Sequence, residues 1–329
     1  MLQPFTLHRP RTAEEACALL AQFGEDAVPY AGGTELLLVM KMGFAAPRHL
    51  VDVKRIAGFD GIDAAGARVR IGATVTHRAV ERSAAVRTRC PVLSDVARHI
   101  ANVRVRNVGT VGGNLAFADP HSDLATLLLA LDGEVELASP RGRRAVPIGD
   151  FVRGPWETVR APDELLAAVS FSPWPAGTAA TYVKFGLHER PTLGISLALV
   201  PDGDRERGDG VGRGVDERSG RAASEPIATR RARRIGAARL AVGCVNPRPT
   251  RVAAAEARLR EVTFAELGDV AADVARLAAE SVDAVDDLHG SADYKREMVA
   301  VFTRRALAVA ATRAAGTAAA ARYPYTVVA

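Results

Sequence analysis

The chain has 329 residues, enough for two or three domains with proper cores. Hydrophobic residues make up 48% of it, yet no apolar run approaches the about 18 residues of a membrane span, so a membrane-spanning reading is excluded. The net charge of +5 does not signal nucleic-acid binding: the densest basic run, Arg230–Arg234, adjoins a Gly/Asp/Arg-rich stretch with almost no aromatics to stack on bases.

From the N-terminus, Met1–Phe5 leads straight into a capped helical pattern, with no secretory signal visible. Thr12 caps a helix with Glu14 and Glu15 in its first turn. Ala16, Leu19, Leu20 and Phe23 form its apolar face, and Gly24 ends it. A strand at Ala27–Tyr30, a glycine pair, a helix from Leu36 to Met40 and a strand at Leu50–Val53 complete a first lobe, residues 1–55. A second lobe, residues 56–175, reads as a strand at Val69–Ala73, a helix from Thr76 to Arg82 and a helix from Pro91 to Ile100. A second glycine pair follows, then the apolar helix Leu124–Leu131 and strands at Glu134–Leu137, Ala145–Ile148 and Leu165–Phe171.

Pro173-Trp174-Pro175 marks a boundary. Residues 176–315 then read as a smaller α+β domain. Its strands are Thr181–Phe185, Ile195–Val200 and Ala237–Val245; its helices are Pro249–Arg260, Phe264–Ala279 and Ser291–Ala315. In the last helix Tyr294, Met298 and Phe302 recur at helical spacing, which predicts a core stripe. Residues 201–235 read as a flexible, low-complexity insertion and 316–329 as a tail. Gly208–Gly214 has the wrong spacing for a dinucleotide fingerprint. Cys17, Cys90 and Cys244 form no metal or disulfide spacing, which fits a reducing cytoplasm.

The chemistry concentrates at two motifs, Ala31-Gly32-Gly33-Thr34 and Thr110-Val111-Gly112-Gly113-Asn114. Paired glycines reach positive φ, where successive N–H groups converge into an anion nest. Two such turns suggest a diphosphate gripped from both sides by the amides of Gly32, Gly33, Thr34, Gly112 and Gly113; the plainer reading is two chain reversals. Asp52 lies about 20 positions beyond the first motif, as in a Rossmann fold, but that motif is not G-x-G-x-x-G. Asp123 is either a hydroxyl acceptor or the N-cap of the helix starting at Leu124. Asp119, His121 and Asp123 read as a plain loop rather than a metal site. No nucleophile–base pair, HExxH or GxSxG appears, so no catalytic residue is assigned.

Tyr30–Glu35 and Ile100–Asn114 resemble the two FAD signatures of the medium subunit of molybdenum hydroxylases, the family of xanthine dehydrogenases and aerobic carbon monoxide dehydrogenases. The likeness continues at Thr12–Ala16, His49–Val53 and Asp286–Arg296. It implies an α+β fold: a two-lobed FAD-binding domain of the PCMH, vanillyl-alcohol-oxidase-like kind, then a smaller C-terminal domain with an antiparallel sheet and helices. It carries FAD contacts to Pro29, Tyr30, Ala31, Gly32, Gly33, Thr34, Glu35 and Leu36, to Ile100 and Ala101, to Thr110, Val111, Gly112, Gly113 and Asn114, and to Asp123, Leu166 and Lys184. Lys184 would set the flavin's redox poise. The family's [2Fe-2S] centres and molybdopterin cofactor are implied on a small and a large partner subunit, in a heterotrimer or a dimer of heterotrimers. The chain would pass electrons to NAD+, a quinone or another acceptor. Phe185–Gly194 lacks both the Gly-Asp-Tyr of carbon monoxide dehydrogenases and the acidic pair of mammalian-type xanthine dehydrogenases. The competing reading is a self-sufficient FAD-dependent oxidoreductase of the same flavin fold.

Overall fold

The computed structural model describes residues 2–186, 190–203, 226–317 and 326–329. Near the N-terminus, β1 (Thr6–His8), β2 (Ala27–Tyr30) and β3 (His49–Asp52) form a parallel sheet in the order β1-β3-β2. The crossover helix α1 (Ala13–Phe23) starts where the Thr12 hydroxyl accepts the Glu15 N–H and buries Ala16, Cys17 and Leu20. Helix α2 (Leu36–Lys41) connects β2 to β3.

A five-stranded antiparallel sheet follows, built from β4 (Ile62–Asp63), β5 (Val69–Gly72), β6 (Glu134–Ser139), β7 (Gly142–Pro147) and, from further along the chain, β10 (Leu165–Phe171). Its order is β4-β5-β10-β6-β7. Helices α3 (His77–Arg82), α4 (Ala84–Arg89), α5 (Pro91–Arg98), α6 (Val103–Val108), α7 (Val111–Phe117) and α8 (Asp123–Ala130) lie between β5 and β6. Asn102 accepts two backbone N–H groups at the start of α6, an element the periodicity does not announce. The short α9 (Ile148–Phe151) leads into a two-stranded ribbon, β8 (Val152–Gly154) with β9 (Glu157–Thr158).

The third sheet, antiparallel, contains β11 (Ala179–Phe185), β12 (Leu193–Pro201), β13 (Ile235–Gly243), β14 (Thr250–Arg251) and β15 (Thr326–Val328) in the order β14-β13-β12-β11-β15. Helix α10 (Ile227–Ala232) precedes β13, and α11 (Ala253–Leu259), α12 (Leu267–Glu280) and α13 (Ala292–Ala314) follow β14. Helices α12 and α13 pack on each other, and α13 lies on β11 and β12; α8 sits against β12 and β13. One apolar core fills the first two sheets and another the third, but Tyr182 of β11 and Ala329 join the first core.

Three expectations change here. Residues 316–329 are not simply a tail, because Thr326–Val328 pairs with β11 and satisfies its edge. The insertion 201–235 is shorter than expected: Pro201 ends β12, Ile227–Ala232 is helical and Ile235 begins β13, while 204–225, which include Gly208–Gly214, lie outside the described residues. The face of α13 that is buried runs through Lys295, Val299, Phe302 and Ala306, whereas Tyr294 is exposed. Among the described residues no helix is long and apolar enough to cross a membrane.

Candidate functional site

The two glycine motifs meet. A Cβ on Gly32 would overlap the carbonyl oxygen of Val108 and lie 2.8 and 2.9 Å from Val108 C and Gly109 Cα. Gly32 is therefore glycine because the backbone before the second motif rests on it. Gly33 is glycine for a second reason, its φ of +70°. Between the motifs lies a cleft of about 260 Å³. Its wall includes fifteen of the eighteen candidate residues: Pro29, Ala31, Gly32, Gly33, Thr34, Glu35, Leu36, Ile100, Ala101, Thr110, Gly112, Gly113, Asn114, Asp123 and Leu166.

Tyr30, Val111 and Lys184 stand behind that wall. The Tyr30 ring packs under Gly33, with Lys54 Nζ 4.0 Å from the ring centroid. Val111 is core. Lys184 is buried, its Nζ donating to Asp123 Oδ2 at 2.6 Å and to the His99 carbonyl at 3.0 Å. The charge of Lys184 is thus paired with a buried carboxylate. Asp123 is not the cap of α8 either: Ser122 is, its hydroxyl accepting the Ala125 N–H. Both Asp123 oxygens are engaged, Oδ1 by the Tyr182 hydroxyl at 2.9 Å and Oδ2 by Lys184. The network spans α8 and β11, joining the floor of the cleft to the third sheet. Buried next to that carboxylate, Tyr182 and Cys244 both have their pKa raised well above the usual values.

The two motifs differ in their hydrogen bonding, and the symmetric grip expected from the sequence does not form. Thr110 caps α7, so Gly112 and Gly113 occupy the first turn of a helix rather than a left-handed turn. The amides of this segment are spent internally: Val111 N–H on the Val75 carbonyl, Gly112 N–H on Ala73, Gly113 N–H on the Thr110 hydroxyl and Asn114 N–H on the Thr110 carbonyl. A Cβ on Gly112 would sit 2.5 Å from the Ala73 Cβ, so that glycine serves close packing. In the first motif, by contrast, the N–H groups of Gly32, Gly33, Thr34 and Leu36 meet no acceptor among the described residues. Several neighbouring open donors beside a cavity make a site for an anion.

The second motif offers a side chain instead. Ser122 Oγ donates to Asn114 Oδ1 at 2.7 Å, which orients the carboxamide and leaves its Nδ2 donors without a protein acceptor among the described residues. Ala101 adopts a φ of +42°, a conformation costly for a residue with a Cβ, and Arg106 holds it there by donating to the Ile100 and Ala101 carbonyls at 3.0 and 2.9 Å.

Among the wall residues that sequence reasoning did not assign to the site are His77, Arg160 and Arg190. His77, at the start of α3, is 3% exposed, and no protein group bonds its ring among the described residues. Burial and then the nearby Arg106 charge pull its pKa down to about 4, so the imidazole is neutral. Arg190 closes the opposite wall, donating to Asp119 Oδ2 at 2.6 Å and Glu35 Oε2 at 3.0 Å. Arg160 lies beside Leu165 and Leu166. Isolated polar residues such as these carry no motif, and only the chain's path brings them to one cavity.

Among the described residues no group of three or more His, Cys, Asp or Glu side chains is placed to hold a metal ion. The donor set instead fits a long organic anion: open amides for phosphate, a carboxamide, a neutral imidazole and apolar walls.

Comparison with known proteins agrees with this chemistry. Residues 3–174 match the model of the FAD binding domain in molybdopterin dehydrogenase, and residues 226–310 that of the carbon monoxide dehydrogenase flavoprotein C-terminal domain. The chain is 33% identical over 320 residues to the carbon monoxide dehydrogenase medium chain of Hydrogenophaga pseudoflava, covering 96% of this chain and 100% of that one. It is 33% identical over 305 residues to the nicotine 6-hydroxylase medium subunit of Paenarthrobacter nicotinovorans, covering 92% of this chain and 96% of that subunit. In three dimensions it is similar to a chain of the carbon monoxide dehydrogenase from Hydrogenophaga pseudoflava that lacks the Mo-pyranopterin moiety of its cofactor. The TM-score is 0.82 at 32% identity, over 95% of this chain and 99% of that one.

Proposed function

The chain belongs to the FAD-binding medium-subunit family of molybdopterin dehydrogenases, and from that premise we propose that its cleft holds one non-covalent FAD with the diphosphate on the first glycine motif. The observation that carries this reading is the row of open amides at Gly32, Gly33, Thr34 and Leu36, beside a cavity. Pro29, Ala31 and Glu35 complete that wall. Ile100, Ala101, Thr110, Gly112, Gly113 and Leu166 shape the opposite one, and Asn114 adds a donor. Asp123 forms part of the floor, while Tyr30, Val111 and Lys184 act from behind as positioning residues: Tyr30 supports Gly33, Val111 anchors α7, and Lys184 holds Asp123.

When bound, the isoalloxazine supplies the ability to accept and release electrons. The protein holds the cofactor, shields it and leaves an edge for its partners. The chain is an oxidoreductase subunit, and the finer reading is electron transfer within a complex. Electrons come from the [2Fe-2S] centres of a small subunit, after substrate oxidation on a large molybdopterin subunit, and leave to NAD+, a quinone or another acceptor. The working assembly is a heterotrimer or a dimer of heterotrimers, located in the cytoplasm.

Purification of the native complex tests this. Acid precipitation is expected to release one FAD per copy of this chain, with iron and molybdenum on co-purifying subunits and no substrate oxidation by this chain alone. FMN in place of FAD refutes the cofactor assignment. Turnover of an organic substrate by the isolated chain would establish the self-sufficient flavoenzyme instead.

A further inference from the structure

Three arginines and two carboxylates meet between β7 and the turn before β10. Arg141 makes a two-point pair with Asp163 at 2.6 and 2.9 Å, and Arg144 a two-point pair with Glu164 at 2.8 Å through both nitrogens. Glu164 Oε2 also accepts the Ala161 N–H at 2.8 Å. Both acids are thus committed, and Arg160, which lies further inside than the other two, has no carboxylate bonded to it among the described residues.

Its Nη1 donates to the carbonyls of Ala161 and Glu164 at 3.1 and 2.8 Å, which holds the side chain in place. Its Nε and Nη2 have no protein acceptor among the described residues, and neither is sealed off by protein. Burial lowers the Arg160 pKa, with Glu164 and Asp163 opposing the shift. A partly desolvated cation without a hydrogen-bonded counter-charge is costly, and a ligand that completes its hydrogen bonds removes that cost. The guanidinium lines the cleft beside Leu165 and Leu166. The other charged side chains of the wall are already satisfied, Arg190 by Asp119 and Glu35 and Asp123 by Lys184.

We propose that Arg160 is a cofactor-binding residue that holds the ADP half of FAD, its open Nε and Nη2 donating to acceptors on that half. The inference rests on the FAD reading above and deepens it. The ADP half carries the charge that a cation can recognise, whereas the riboflavin half is neutral. The fork geometry favours an arginine over a lysine, because one nitrogen is consumed by the carbonyls while the others stay free for the ligand.

The test uses the full chain freed of flavin, with FAD, ADP and riboflavin as separate probes in equilibrium titrations. Arg160→Gln is expected to weaken ADP and FAD by the same factor, at least about tenfold, the loss of one charge-assisted hydrogen bond. Riboflavin affinity is expected to stay unchanged. Unaltered ADP affinity, or riboflavin weakened as much as ADP, overturns the assignment and leaves Arg160 a staple of its turn. Should Arg160→Gln not fold, Arg160→Lys serves: its ammonium can take the carbonyls but lacks the second edge, so ADP should again loosen while riboflavin does not. Failure of the parent reading looks different, because the unaltered chain would then not bind FAD at all.

Discussion

Replacing Gly32 by alanine ought to separate the two glycine motifs. The added Cβ would lie 2.8 Å from Val108 C, against the about 3.5 Å of a relaxed carbon–carbon contact, and nearer still to the Val108 carbonyl oxygen, so one backbone must retreat by more than about 0.7 Å. Neither side yields easily, since the obstacle is main chain rather than the end of a flexible side chain. Such overpacking costs about 1–3 kcal/mol of fold stability. The larger effect falls on the ligand, because the open amides belong to the displaced segment. Loss of two amide–phosphate bonds, at about 1.5–3 kcal/mol each, weakens FAD by about two to four decades in Kd. Gly268→Ala is the control for an added methyl: its Cβ has open space around it and it does not line the cleft. Titration of flavin-free chains by flavin fluorescence, with thermal melts of the apo forms alongside, reads both terms. If Gly268→Ala loses FAD as severely as Gly32→Ala, or Gly32→Ala binds within about threefold of the unaltered chain, the account of the first motif is wrong.

Two further outcomes follow from the buried titratable groups. His77 is depressed to about 4 in the folded chain against 6.5 unfolded, so the unfolded state binds more protons between those values and stability falls as pH drops through that window. Urea melts of the apo chain should therefore show an extra loss of about 2 kcal/mol from pH 7.5 to pH 5 that His77→Gln lacks; parallel pH profiles would contradict it. Burial pushes Cys17 up to about 11 and Cys90 up to about 12 and raises Cys244 well above the usual thiol range, and all three thiols are buried. Ellman's reagent at pH 8 should label none of them in the native chain and all three in guanidinium; rapid native labelling would show that these cores open.

The sequence revealed best what rests on local pattern. Thr12 and Thr76 cap helices because the hydroxyl and the N–H that donates to it lie three residues apart, and β10 follows from an apolar run broken only at Ser170. The glycine pairs marked the cleft, but two identical dipeptides concealed two different tasks. Whether a glycine amide is open depends on the strand behind it, and Ala73, which occupies the Gly112 amide, is remote in sequence. The setting of Lys184 is illegible for a similar reason: its carboxylate partner is remote in sequence, and only α8 brings Asp123 within 2.6 Å. His77, Arg160 and Arg190 were illegible because each is an ordinary polar residue whose significance is positional. Of the stripe expected on α13, Phe302 is buried, but one turn and two turns earlier the buried positions are Val299 and Lys295 rather than Met298 and Tyr294, since a lysine was not expected inside. Lys295 is nevertheless fully buried, pairing with Asp287 at 2.5 Å and donating to the Val285 carbonyl at 2.9 Å.

The last strand has a practical corollary for handling the protein. Val327 stands opposite Lys184 in the β11–β15 ladder, so the register of the final residues bears on the lysine beneath the cleft. Ala329 is 2% exposed and exchanges backbone hydrogen bonds with Tyr182, while its carbonyl also accepts from Thr181 and Arg313. Any affinity tag or fluorescent protein fused after Ala329 has to leave from an enclosed position. It would pull on the strand that steadies the cofactor floor. A fusion at the opposite terminus, where Gln3, Pro4 and Phe5 are exposed, avoids that strain.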